Sequence, residues 1–252
     1  MEDNFYARQA FGGAVFSGRT LIQASGSIGG HKAVFVKLIK GAKNALCYPT
    51  TGGKLLNPFK GRAKIYAGDF VEYDPGIVGS AGATVKILKV YEVAKADTEG
   101  TGTTVYLVRD GYHHIPFVGD NIMVAPTTLE GTGTAVTITA VEKTTESGND
   151  VWKLTVSAAL GTLTLGQVLV EAAEAGTKKK AMVTNPNAYA DSDMDFLYDP
   201  SASDDDFDNA RYFFTPCLAQ EDTILNTAKC GPIPPAVKAL NKSRVNGWFW
   251  FV

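Results

Sequence analysis

Histidine and cysteine, the side chains that most often carry metal and nucleophilic chemistry, are scarce, with three of each in 252 residues. The cysteines, Cys47, Cys217 and Cys230, form no CxxC pair, which argues against a structural zinc site. Their odd number leaves at least one thiol free in a monomer. A Cys217–Cys230 bridge is open to the chain, but reduced, inert thiols are the expected state. Charge of one sign is lacking too. Lys and Arg total 24 against 26 Asp and Glu, a net −2, so there is no global basic signal for nucleic acid, although a local patch is not excluded. No apolar run approaches the ~20 residues that span a bilayer. The start, Met1-Glu2-Asp3-Asn4, is acidic where a secretory leader is basic, and no apolar stretch follows. Synthesis in the cytoplasm without export by the usual route is therefore expected. A sustained period of 3.6 is also missing. The one helical signature is Pro235-Ala236-Val237-Lys238-Ala239-Leu240-Asn241, with proline in its first turn and Asn241 near its end.

What is abundant is glycine, 26 residues, together with 10% aromatics and 45% apolar residues overall. That mixture suits many strands joined by tight turns. Three sections differ in texture. Residues 1–65 are rich in Gly and Lys, with one apolar run, Ala33-Val34-Phe35-Val36-Lys37-Leu38-Ile39. Residues 66–184 read as successive strands. Residues 185–252 pass through an acidic loop to an aromatic end.

The middle section contains a repeat. Gly68-Asp69-Phe70-Val71-Glu72-Tyr73 has a counterpart in Gly119-Asp120-Asn121-Ile122-Met123-Val124. An alternating strand follows each, Val85-Lys86-Ile87-Leu88-Lys89-Val90 and Val136-Thr137-Ile138-Thr139-Ala140-Val141. Both signals recur at one offset of 51 residues. A polar turn comes next, ending in Gly100-Thr101-Gly102 or running Glu146-Ser147-Gly148-Asn149-Asp150. The return strands are Thr104-Val105-Tyr106-Leu107-Val108 and Trp152-Lys153-Leu154-Thr155-Val156, and the units close on Gly111 and Gly161. The units thus run over about 68–111 and 119–161, and a truncated third opens at Gly166-Gln167-Val168. Glycine supplies φ > 0 before the strand, and the following Asp can bond turn amides. Period-two alternation implies one buried and one wet face. The fold class expected is all-β, mainly antiparallel, with tandem hairpin units forming a small barrel or sandwich of roughly six to eight strands.

The inventory for catalysis is thin. His113 and His114 lie in Arg109-Asp110-Gly111-Tyr112-His113-His114-Ile115-Pro116, where His, Asp and Tyr gather. Adjacent side chains on an extended chain face opposite ways, so a polar structural loop is favoured over a metal or proton-transfer site. His31 follows Gly29-Gly30 with no carboxylate or cysteine beside it, and the bland reading holds there as well. The stretch Asp191-Ser192-Asp193-Met194-Asp195 opens like a calcium loop, but Phe196 and Ala202 occupy the positions that need Gly and a carboxylate. Asp204, Asp205, Asp206 and Asp208 are read as a solvated acidic loop rather than a different calcium site. Gly131-Thr132-Gly133-Thr134 leads into a strand, not a helix, and Gly53-Lys54 is followed by Leu55, so neither phosphate-binding motif is present. The expectation is a non-enzyme with no catalytic, cofactor or metal residues. Its Gly-Asp aspartates have no sequence neighbours suited to catalysis and read as turn formers.

Two surface features remain. Lys32, Lys37, Lys40, Lys43, Lys54, Lys60, Arg62 and Lys64 form a basic segment that contrasts with the acidic stretch from Asp191 to Asp208. Docking onto an acidic surface, contact between subunits and simple solvation are all consistent with it. The end, Trp248-Phe249-Trp250-Phe251-Val252, demands burial, either as a last strand or in a partner.

Several runs carry a family resemblance. Val108-Arg109-Asp110-Gly111-Tyr112-His113-His114, Gly119-Asp120 and Ile122-Met123-Val124-Ala125-Pro126 resemble head fibre proteins of tailed bacteriophages. Ala181-Met182-Val183-Thr184-Asn185-Pro186-Asn187 and Ala236-Val237-Lys238-Ala239-Leu240-Asn241-Lys242 share the likeness. These stretches are especially similar to proteins encoded beside the capsid genes of crAss-like and related phages of gut Bacteroidales, and the resemblance extends over roughly residues 60–250. The resemblance implies a head fibre or auxiliary capsid (decoration) protein on the virion exterior. Such a protein binds the major capsid protein, assembles as a homodimer or homotrimer, and could meet other head fibre proteins. No membrane or nucleic-acid partner is expected. It transfers no catalytic residue. The absence of collagen-like or heptad repeats points to a compact knob rather than a shaft. Residues 1–65 are the expected docking section. A carbohydrate-binding or adhesin module is the alternative, and it requires exposed Trp and Tyr on one sheet face.

Overall fold

The computed structural model describes residues 20–25, 35–40, 54–66, 69–74, 84–190, 194–196, 216–218, 223–225, 231–243 and 249–251. The chain is all-β and mainly antiparallel. Its first strands are β1 (Thr20–Ser25), β2 (Phe35–Lys40), β3 (Lys54–Leu55) and β4 (Ala63–Ile65). The first repeat unit supplies β5 (Phe70–Asp74), β6 (Thr84–Ile87), β7 (Val90–Glu92) and β8 (Thr104–Val108). The second supplies β9 (Asn121–Val124), β10 (Thr132–Glu146) and β11 (Asn149–Val156). Then come β12 (Val168–Glu171), β13 (Gly176–Lys180), β14 (Ala188–Ala190), β15 (Met194–Phe196), β16 (Pro216–Leu218), β17 (Thr223–Leu225) and β18 (Phe249–Phe251).

A small barrel lies at the centre. Its strands follow the order β7-β12-β9-β10-β11-β8, with β13 joined to the first part of β10. The circle is completed where Val93 bridges Leu107 and Ala94 N–H donates to Tyr106 O at 2.8 Å. Inside, Tyr91, Val93, Leu107, Ile122, Val136, Ile138, Leu154 and Leu169 are at most 1% exposed. Each such side chain withdrawn from water contributes about 1.5–3 kcal/mol.

The alternating residues of four of these strands are buried as well. Val90, Met123, Ala135 and Val170 point away from the lumen, into a second cluster with Leu88, Ala125, Ala181, Val183, Ile233 and Val237. This departs from the expectation of one wet face. A strand covered on both sides needs no polar alternation, which is why Ile122-Met123-Val124 and Val168-Leu169-Val170 are continuous apolar runs. β6 and β8 do alternate as expected. The covering layer includes the helix Pro235–Ser243, two residues longer than its sequence signature. Lys238 N–H bonds Pro234 O at 3.1 Å, which sets Pro235 at the first helical position, where its missing N–H costs nothing.

A third cluster joins Leu55, Phe59, Ala63 and Ile65 to Val71, Tyr73, Val85 and Ile87. It lies on the sheet β16-β14-β5-β6-β3 and on β4, which pairs with β15. Residues 54–65 therefore pack into the folded body. Upstream, β1 and β2 pair with each other, β2 pairs with β17, and β17 pairs in parallel with β18, so the aromatic end forms a strand.

The repeated turn is visible in the backbone. Asp69 N–H donates to Tyr66 O (2.9 Å), Asp120 N–H to Phe117 O (3.1 Å) and Gln167 N–H to Thr164 O (3.1 Å). Gly119 stands at φ 86° and Gly166 at φ 77°, at the third turn position, where a left-handed residue is required. The last turn residue also reaches back. Asp69 Oδ2 accepts from Tyr66 N–H at 2.7 Å and Gln167 Oε1 from Thr164 N–H at 2.9 Å. The strand that follows is kinked at matched places. Between β6 and β7, Lys89 N–H turns back onto Ile87 O at 3.0 Å. Fifty-one residues beyond Leu88 stands Thr139, where the register of β10 on β11 shifts between Ile138 and Ala140. This bulge lets β10 pair with β9 before it and β11 after it. The hairpin tip between β10 and β11 is a two-residue loop with both φ values positive, Ser147 at 52° and Gly148 at 84°.

Two glycines separate backbone strain from contact. Gly161 (φ 86°) faces open space, whereas a Cβ on Gly119 (φ 86°) would lie 2.9 Å from Lys60 Nζ. Gly161→Ala should cost about 1 kcal/mol and Gly119→Ala more, read as urea midpoints at constant slope. Equal losses at the two sites would remove the Lys60 contact from the explanation.

Candidate functional site

The seam between the barrel and the β5-β6 sheet holds a cluster of buried polar groups. Lys89 lies at the break between β6 and β7, between the buried Leu88 and Val90, and its own side chain is 0% exposed. Its Nζ donates to Glu171 Oε1 at 3.0 Å and to Pro58 O at 3.2 Å, and sits 4.8 Å from the centre of the Phe59 ring. Glu171, last residue of β12, also accepts at Oε2 from Asn57 Nδ2, 2.5 Å away. Asn57 binds the backbone of Ile87 on both sides: Oδ1 accepts from Ile87 N–H and Nδ2 donates to Ile87 O, each at 2.8 Å. One carboxylate thus bridges an amine and a carboxamide, and all three side chains are buried.

Asp120 borders the cluster. Its Oδ1 lies 3.2 Å from Lys60 Nζ and its Oδ2 4.0 Å from Lys89 Nζ. Asp120 Oδ2 and the Tyr91 hydroxyl are buried without a hydrogen-bond partner. Burial, aided by the charges of Asp120 and Glu171, pushes the Tyr91 hydroxyl well above its ordinary range. Burial likewise raises the Glu171 carboxyl, against the opposing pull of Lys89 and Asn57 and with a further push from Asp120.

The histidine pair divides between two environments. His114 is 2% exposed. Its Nδ1 accepts from Val90 N–H at 3.0 Å, which places the proton on Nε2, and that nitrogen donates to Asp69 Oδ2 at 3.1 Å. The ring stacks on Phe59 at 5.9 Å. His113 turns the other way, with Nδ1 2.8 Å from Asp110 Oδ1 and Nε2 3.4 Å from Glu92 Oε2. Burial would raise the Asp110 carboxyl, but bonds from His113 and from the N–H of Tyr112 hold it below its usual range.

The Gly-Asp aspartates do more than shape turns. Asp69 has His114 as a partner and Asp120 has Lys60, contacts that no spacing along the chain announces because they join residues 45 and 60 positions apart. Of the basic segment, Lys60 reaches Asp120, and Lys37, Lys40, Lys54 and Lys64 stand on strands. His31, Cys47, Cys230, Lys32, Lys43, Asp191, Asp193 and Asp204 to Asp208 lie outside the described residues, and of Cys217 and Asp195 only the backbone is described. Among the described residues, no group of three or more His, Cys, Asp or Glu is arranged to hold a metal ion.

Lys89, Glu171, Asn57 and Asp120 were not singled out from sequence as a site. A trace was present: Lys89 falls on the parity of Val85 and Ile87 in the strand expected from sequence over Val85–Val90, and Glu171 ends an otherwise apolar run. Comparison with protein-family models, curated proteins and solved structures gave no match.

Two outcomes check these assignments. His114→Phe keeps the ring stack but orphans Val90 N–H and removes a donor from Asp69, which should cost about 2 kcal/mol in urea unfolding. A loss under ~0.5 kcal/mol would show the bonds to be incidental. Glu72 provides a pH test. Burial alone would raise its carboxyl, but Lys86 and the N–H groups of Asn185 and Thr184 hold it below the ordinary 4.5. The unfolded chain takes up the proton first, so this stabilisation is complete above that value and disappears as pH falls below it. Glu72→Gln should therefore lose stability relative to wild type at neutral pH, with the difference shrinking as the solution is acidified below 4.5.

Proposed function

We propose that this protein is a structural component of a tailed-phage head, a head fibre or auxiliary capsid protein that binds the major capsid protein and displays its β-rich body outward. The supporting observation is where the resembling runs lie in the fold. Met123 and Ala125 from one run, Ala181 and Val183 from another, and Val237 from the helix pack into the same apolar cluster. Val90, which receives its backbone partner from His114 of a further run, belongs to that cluster as well. Segments scattered over more than a hundred residues thus form one packing unit, the part of such a protein most constrained by its own fold.

A non-catalytic role fits the chemistry. The buried groups at the seam are enclosed by Phe59, Ile87 and Pro58 and are closed to an external substrate. The glycan-binding alternative needs exposed rings, but among the residues whose side chains are described every Trp, Tyr and Phe is buried or half-buried. Trp152 is flanked by Arg109 and Lys143 at 5.5 and 5.4 Å, and Tyr106 by Lys95 at 5.0 Å. The docking section is best sought upstream of Lys54, since Leu55, Phe59, Ala63 and Ile65 are built into the core. Self-association as a dimer or trimer, and synthesis in the host cytoplasm before assembly, complete the proposal.

The test is co-purification with assembled heads. The protein should be present at a stoichiometry that matches a capsid symmetry position, and the purified chain should bind empty capsids lacking it. A chain without residues 1–53 should keep the barrel's circular dichroism and lose capsid binding. Absence from purified heads would reject the function, whereas binding by the shortened chain would reject only the location of the docking section.

A further inference from the structure

We propose that Lys89 and Asn57 become joined by an autocatalytic amide cross-link, with Glu171 as the catalytic acid and base. The proposal is independent of the virion assignment and rests on the geometry of the seam. Three requirements for such a bond meet there. The amine and the carboxamide are held on the two oxygens of one carboxylate, at 3.0 and 2.5 Å. The carboxamide oxygen already accepts from Ile87 N–H at 2.8 Å, a donor placed where negative charge would develop. The side chains are 0%, 4% and 7% exposed for Lys89, Asn57 and Glu171, and Phe59 shields the amine, so water is kept from competing.

The step balances without any outside reactant. Glu171 takes a proton from the Lys89 ammonium, leaving a neutral amine and a neutral acid. The Nζ lone pair attacks Asn57 Cγ, and the carbonyl electron pair moves onto Oδ1, held by Ile87 N–H. Glu171 then gives its proton to Nδ2 and receives the one shed by Nζ. The carbonyl re-forms, the Cγ–Nδ2 bond breaks, and ammonia leaves. One carbon–nitrogen bond replaces another, and nothing is oxidised or reduced. The raised Glu171 carboxyl suits this task, because a group that readily holds a proton in the folded state can return it to the leaving nitrogen. Asp120, 4.0 Å from Nζ, lends a second negative charge that favours keeping Lys89 in the site before reaction.

The plain alternative is an unreacted buried ion pair with Asn57 tying down the Ile87 backbone. Intact-mass measurement of the full chain separates the two. The folded wild type should be lighter than its sequence by one ammonia. After denaturation, trypsin should fail to cut at Lys89, and a branched peptide should link Lys89 to Asn57. Glu171→Gln, which preserves shape, and Lys89→Met, which keeps volume without an amine, should both have full mass. A folded wild-type chain at full mass with Lys89 open to trypsin overturns the proposal. So does a Glu171→Gln chain that is cross-linked as fully as wild type, since it would deprive Glu171 of its role.

Discussion

A lysine that enters the interior as an ammonium, with no access to water, is the constraint around which the fold is arranged. Burying an isolated ion costs several kcal/mol even after the protein relaxes, so Lys89 has to be met by opposite charge and by acceptors. Glu171 comes from the end of β12, Pro58 and Asn57 from the segment between β3 and β4, and Asp120 from the turn before β9. These are separate stretches of chain, and none can move far without stranding a charge. The seam therefore fixes how the β5-β6 sheet sits against the barrel, a register that apolar contact alone specifies less strictly.

The duplicated unit explains how one chain builds both sides of that seam. In each copy a turn closed by an aspartate N–H leads into a strand, and the following strand kinks at matched positions. In the second copy the kink is a bulge and the strand stays continuous, turning from β9 to β11 within the barrel wall. In the first copy the kink breaks the strand, leaving β6 in one sheet and β7 in another. The same local chemistry thus yields continuous wall in one copy and a junction in the other. Lys89 sits at the break itself.

Much of this architecture was legible in the sequence, for identifiable reasons. Glycine turns and two-residue loops are local, so Gly119, Gly166 and the Ser147-Gly148 tip could be placed from composition and spacing. The short helix was legible because proline and an apolar pair mark its start. Burial on both faces was not, since an apolar run does not say what will cover it. Asp69 and Asp120 read as turn residues because a turn needs only near neighbours, while His114 and Lys60 reach them across long stretches of chain. The polar seam shares that difficulty: Asn57 and Glu171 are 114 residues apart, and only the folded chain makes them neighbours.

The closed circuit of the barrel has a consequence for assembly. Among the described residues each of its six strands has a hydrogen-bonded neighbour on both sides over at least part of its length, with the β7–β8 gap spanned by the Val93–Leu107 bridge, and the free edge left in the wall is the outer stretch of β10, 140–146, which pairs with β11 alone. In the closed part of the wall one copy has no edge on which another could add a strand, the route by which open sheets run on into fibrils. Contact made through that part of the barrel uses side-chain surfaces and loops. Such surfaces can be tuned one residue at a time, and they close at a defined number of copies more readily than a backbone ladder does.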